Sequence, residues 1–430
     1  MARDDFPPSD ERLDELRLIG DEEADRYVRE YFEFATVRDM MKALTEQREL
    51  ATKDVCDLSS RPDHVAESDL TRILDSTAAT MPDVTPDDIK IAQGVFSMYG
   101  PEILMILGCY SLPAAYAAEK GVQVLATTEF LELQTERRLF ETAQVIVDVM
   151  SEGLGVGEGG RQAAERTRLI HAAIRRLILE DDDFDSSDIG MPINQEDLAA
   201  TLMTFSTLTL DGLDKMNMRV TPRQQEAYID TWRQLGRLLG IKEELLPDNL
   251  AEAKKLTEVI KARQIRASEQ GIALLDALTT ILDQKTITGL PSVMMRLFLD
   301  KDVANAMKIE PNALRPIPNW VVHSLVRTAG YVDSWLLGVL GRRSMILRDV
   351  SLELLDSIMS WQDLKGSKPK FVLPESLDWY KDRTEQKRER LSRMVLDTAL
   401  TGGPRKGSAV RKARKRKFVE REQRKAEASG

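Results

Sequence analysis

A chain of 430 residues can bury a large core, and 42% hydrophobic with 30% charged residues is ordinary for a soluble globular protein. Two cysteines, Cys56 and Cys109, exclude a disulfide framework and are consistent with a reducing compartment. Residues 401–430 carry 11 Lys/Arg against 3 Glu, a net of +8 that leaves −19 on the rest of a chain totalling −11. Nucleic acid is therefore not the expected partner of the body of the protein.

The N-terminal MARDDFPPSDERLDELR is acidic and polar, without the basic and apolar regions of a signal peptide, and predicts a polar arm over 1–30 and a cytoplasmic protein. Apolar residues then recur at three- and four-residue spacing, predicting helices over 36–51, 69–81, 86–100, 129–153, 159–180 and 195–216. ILMILGCYSLPAAYAA (103–118) is too short to span a membrane, contains Pro113, and reads as a buried helix. The segment 221–241 has clear end signals: Thr221 as N-cap, Pro222 at the first helical position and Gly240 at the close. Helical spacing continues over 249–264, 268–284 and 292–300. Few stretches alternate with period two. The expected architecture is all-α: one large helical domain over 31–360 after the arm, an extension over 361–400, and a basic tail over 401–430. That tail is a disordered, solvated end or an electrostatic contact with anionic lipid or nucleic acid.

Histidines are scarce. His64, His171 and His323 are far apart, and the residues three positions before them are Arg61, Arg168 and Trp320, so zinc-protease and diiron bundle spacings are absent. GVGEGG (155–160) matches a dinucleotide fingerprint, but QVIVDVM before it continues a helical pattern, so the glycines read as a turn between two helices. His323 reads as part of an apolar helix, Cys109, Met294 and Met295 as buried, and Trp232, Trp320 and Trp335 as core or channel packing. DDDFDSSD (181–188) reads as a solvated loop.

One stretch combines unusual chemistry. In RTRLIHAAIRRLI (166–178), Arg168, His171 and Arg175 are i, i+3 and i+7 on a helix, and Ile174 and Ile178 flank them. Buried arginines need anions, and a neutral imidazole offers a nitrogen lone pair. Two readings satisfy them: a core histidine with the arginines on acidic partners, or a ligand bearing two carboxylates and a metal centre, as haem b does. On the preceding helix Arg138 and Thr142 are i and i+4, with Val145 and Val149 continuing the stripe, and the glycine turn would fold them toward His171.

With these motifs the chain resembles the haem-dependent oxygenase family that contains the bacterial latex clearing protein, a rubber oxygenase, and the fungal mycophenolic-acid-pathway oxygenase. The resemblance runs through Arg138–Thr142, Arg168–His171–Arg175, 99–121, 191–213 and 226–247. It implies a globin-like all-α fold and haem b, with His171 as proximal ligand and Arg168 and Arg175 anchoring the haem and its propionates. Arg138 and Thr142 would act near the distal side, and O2 as co-substrate would cleave an isoprenoid double bond. Where latex clearing proteins carry a lysine just before the threonine, this sequence has Glu141; Glu129 and Glu132 are candidates for their upstream acid. Latex clearing proteins are exported, which together with the missing export signal points here to a smaller isoprenoid or unsaturated lipid, met at a membrane surface through the basic tail. Two other readings remain: a haem-binding sensor or carrier, and a cofactor-free helical interaction protein.

Overall fold

The computed structural model describes residues 3, 5–32, 86–127, 131–155, 158–180, 186–285 and 287–340. All lie in one compact unit, Met1–Leu377. The second unit, Asp378–Gly430, lies outside the described residues, as do the helices expected over 36–51 and 69–81.

Among the described residues every regular element is helical, as expected; the β contact is an isolated bridge between Ala118 and Ile265. The segment expected as a polar arm folds instead into α1 (Asp10–Leu16) and α2 (Glu22–Phe32). Leu13, Leu16, Ala24, Tyr27 and Val28 are buried beneath them. The charges that made this segment look solvated meet arginines far along the chain, or reach inward themselves. Arg17 donates to Asp197 Oδ1 at 2.8 Å and Glu196 Oε2 at 3.2 Å, and the Arg3 backbone N–H donates to Glu252 Oε1 at 2.8 Å.

The apolar run in the next segment outlasts the expected helix. In α3 (Pro86–Ile106) the backbone departs from helical geometry at Tyr99, just before Pro101, where proline removes a helical hydrogen bond and crowds the preceding turn. A π-helical turn, Leu107–Ser111, leads into α4 (Leu112–Tyr116), which Pro113 can begin without losing a bond. Asp87–Tyr116 is long and apolar enough to cross a membrane, yet 83% of its apolar window is buried inside the protein. Cys109 sits in the π turn, and burial pushes its thiol up to about 12. Tyr110 donates to Asp211 Oδ2 at 2.7 Å.

After α5 (Glu119–Thr127), the long pair α6 (Leu131–Glu152) and α7 (Gly159–Leu179) follows the expected boundaries. QVIVDVM is the end of α6, so the strand that a dinucleotide fold requires before GVGEGG is not there. A Cβ on Gly160 would lie 2.6 Å from Val149 Cα, so glycine lets the two helix backbones touch.

After the short α8 (Ser186–Ile189), the helix expected over 195–216 is two helices, α9 (Gln195–Phe205) and α10 (Thr207–Lys215). They meet at Ser206, whose hydroxyl donates to Leu202 O at 2.7 Å while Thr209 donates to Phe205 O at 2.7 Å. Such back-bonding from hydroxyl side chains competes with the helical ladder and bends it. In α11 (Pro222–Leu238) the Thr221–Gln224 capping box is complete. α11 packs along α3.

The remaining elements are α12 (Leu250–Gln264), α13 (Glu269–Lys285), α14 (Leu290–Phe298), α15 (Lys301–Ala306) and α16 (Asn319–Leu340). Met294, Met295 and Trp232 are buried as expected. Trp320 and Trp335 are not core residues: they are 69% and 55% exposed on α16. Hydrophobicity alone cannot place an indole, because an apolar helix lying on a surface has the same period as one inside.

The close approach at Gly160 has a stability consequence. Gly160→Val should wedge α7 off α6 and cost about 2–3 kcal/mol. A chemical-denaturation midpoint equal to wild type would contradict the contact.

Candidate functional site between two helices

The site candidates lie on α6 and α7, and helix geometry places them relative to one another. At 1.5 Å per residue, Thr142 lies about 15 Å and Arg138 about 21 Å back along α6 from Glu152. Counted from the contact of Gly160 with Val149, His171 lies about 16 Å along α7 and Arg138 about 16 Å back along α6, so the two are level, with Thr142 about one turn nearer the contact. The facing sides agree as well. Val149 touches α7 at Gly160, and Thr142 and Arg138 are seven and eleven residues before it, on the same stripe. His171 is eleven residues after Gly160, about 20° away round α7, so it faces α6. The fold thus brings together the stripes bearing Arg138, Thr142 and His171. Thr142 and His171 are half-buried, with His171 Nδ1 buried; of Arg138, Glu132 and Glu141 only the backbone, in α6, is described.

Arg168 and Arg175 lie about 40–60° further round α7, on the side that meets α2. Both guanidiniums are buried, and both already hold protein anions. Arg168 grips Asp21 in a two-point fork, Nε to Oδ2 at 2.5 Å and Nη2 to Oδ1 at 2.8 Å, and adds Glu23 Oε2 at 3.0 Å. Burial pulls the Arg168 pKa down, but Asp21 and Glu23 outweigh it and hold it above the ordinary value. Arg175 pairs with Asp25 and donates to the carbonyls of Pro192 and Ile193, each at 2.8 Å. Burial lifts the Asp25 carboxyl above the usual range, with Arg175 pulling the other way.

Two neighbours complete this cluster. Gly240 has φ +76°, a left-handed conformation, and a Cβ there would strike Asp21 and lie 2.8 Å from Arg168 Nε. Gln195 donates to Gly20 O at 2.8 Å and Gly240 O at 3.0 Å, and accepts from the Lys242 N–H at 2.8 Å. Asp21, Glu23, Asp25 and Gln195 are the residues that sequence reading missed. The signal was present in the requirement that buried arginines find anions, set beside an N-terminal segment rich in acids.

His323 lies elsewhere, on α16, where its Nε2 is 2.9 Å from Val293 O. Among the described residues no three His, Cys, Asp or Glu side chains gather where a bare metal ion could be held.

The family profile described as ER-bound oxygenase mpaB/B'/Rubber oxygenase, catalytic domain, matches residues 90–331, more than half of the chain. The chain belongs to this oxygenase family. Within the mpaB/rubber-oxygenase family it is 26% identical over 121 residues to the rubber oxygenase of Streptomyces sp. (strain K30), a match spanning 28% of this chain and 30% of that relative. A solved structure of latex clearing protein LCP in the closed state superimposes with a TM-score of 0.64 at 18% identity, covering 80% of this chain and 91% of the other. That likeness is one of fold.

The ion-pair cluster makes a strong stability prediction for this family member. Asp21→Ala should cost about 3–5 kcal/mol, since it removes the two-point partner of the buried Arg168 guanidinium and leaves only the half-exposed Glu23 to answer it. The paired change Asp21→Leu with Arg168→Met should restore much of that loss. Equal destabilisation by the single and the paired variants in urea melts would show that the fork is not the source.

Proposed function

We propose that the protein is a haem b-dependent oxygenase that uses O2 to cleave a carbon–carbon double bond in an isoprenoid or unsaturated lipid. What supports this reading is the packing of α7, which carries His171, against α6, which carries Arg138 and Thr142, in a chain belonging to an oxygenase family. His171 is the residue that would hold the haem iron. It is one imidazole on a long helix, its Nδ1 is buried, and the helix is fixed on two sides by α6 and α2. When bound, haem supplies iron for dioxygen activation. The protein's own residues supply the rest. Thr142 would offer a hydroxyl that can donate or accept, and Arg138, four residues earlier on α6, would offer a permanent positive charge. The next turns of α6 place Ile146, Val149 and Met150 in the core, so the helix that faces His171 is backed by apolar side chains that exclude water.

Arg168 and Arg175 receive a different role from the propionate anchors that the motif implies. With their guanidiniums on Asp21, Glu23 and Asp25, they set the position of α7 and through it the imidazole.

Purified protein should show a Soret band that His171→Ala abolishes. With prenylated or unsaturated lipid substrates it should consume oxygen and form carbonyl products, with Thr142→Val slower by roughly 10–100-fold. Absence of a Soret band in the wild-type chain sinks the haem reading. A Soret band without oxygen consumption across a broad lipid panel assigns the protein to haem storage or sensing instead.

A further inference from the structure

Helix α16 (Asn319–Leu340) carries an arrangement that the oxygenase reading does not use. One side of it is tied down. His323 meets Val293 O at 2.9 Å, Ser334 donates to Asn217 O at 2.9 Å, Asn217 Nδ2 donates to Arg327 O at 3.0 Å, and Gly330 lies directly against the Met216 carbonyl. These contacts fix which face looks outward. On that face Trp320 is 69% exposed, Tyr331 65% and Trp335 55%. At 100° per residue the three rings fall within about 60° of arc, a single stripe. Leu325 and Val332 stand beside it, also exposed.

The charge on this helix differs from that of the chain. The charged residues of α16 are Arg327 and a single acid, Asp333, in a protein whose acids outnumber its Lys/Arg by 71 to 60. Asp333 is 1% exposed, so the outward face of α16 shows no carboxylate, while Arg327 is exposed. Soluble proteins seldom leave two indoles and a phenol in a row against water. Indole and phenol rings are at home where hydrocarbon meets headgroups, and guanidinium pairs with lipid phosphate. A second copy of the chain fits less well, because two-fold packing of this stripe would bring arginine toward arginine with no acid to answer it.

We propose that the outward face of α16 is a docking surface for an anionic lipid bilayer. Trp320, Tyr331 and Trp335 seat at headgroup depth and Arg327 meets phosphate. This inference stands apart from the haem reading, since neither uses the other's residues.

The test is co-sedimentation of the full chain with vesicles of phosphatidylcholine alone and of phosphatidylcholine mixed with phosphatidylserine, at low and high salt. Wild type should bind the mixed vesicles at least ~10-fold better than the neutral ones. Trp320→Ser with Trp335→Ser should lower binding to the mixed vesicles at least ~10-fold, and the loss should persist at high salt, where electrostatic contacts are screened. Both side chains are exposed, so the variant should melt as wild type does. In wild type, lipids brominated near the headgroup should quench tryptophan fluorescence. The proposal is overturned if the double variant binds as well as wild type, if wild type binds neither vesicle, or if the double variant converts a dimer to a monomer without changing lipid binding.

Discussion

A guanidinium taken out of water must meet an anion, and α7 buries two of them. Arg168 and Arg175 find theirs in Asp21, Glu23 and Asp25, more than 140 residues earlier in the chain. An uncompensated buried charge costs several kcal/mol, so these pairs leave little freedom in how α2 lies on α7. Gly240 and Gln195 are shaped around the same cluster, one by leaving room and the other by tying the 20 and 240 backbones together.

The placement of α7 decides what its other stripe can do. Once the arginines are drawn toward α2, helix geometry turns the His171 face toward α6, where glycine at 160 permits backbone contact. The position of His171 thus depends on ion pairs made on another side of the same helix. Such a division, with structural charges on one side of a helix and the donor on the other, lets a buried site be rigid without placing its own reactive groups in ion pairs.

Much of this was legible in residue order. The 3.6-residue period located α6 and α7 to within a residue or two, because both are long and amphipathic, and the Thr221 box marked the start of α11. Three features were not legible for identifiable reasons. The break at Ser206 comes from hydroxyl groups bonding back to carbonyls, which periodicity does not register. The stripe Arg168–His171–Arg175 looks like one face in sequence, yet it is broad enough for its members to address two different neighbours. The folding of residues 5–32 was hidden by their acidity, since whether a carboxylate is solvated or paired depends on arginines brought close only by the fold. Trp320 and Trp335 were misplaced for the converse reason: an apolar helix can end up with water, or a membrane, on one side.

The central claim is a bond between the His171 imidazole and haem iron. Resonance Raman spectroscopy of the ferrous protein, with and without nitrogen-15 in its histidines, tests it most directly. The account predicts an iron–imidazole stretching band that shifts with the label and disappears in His171→Gly. A band that is insensitive to the label, or that survives in His171→Gly, would contradict it.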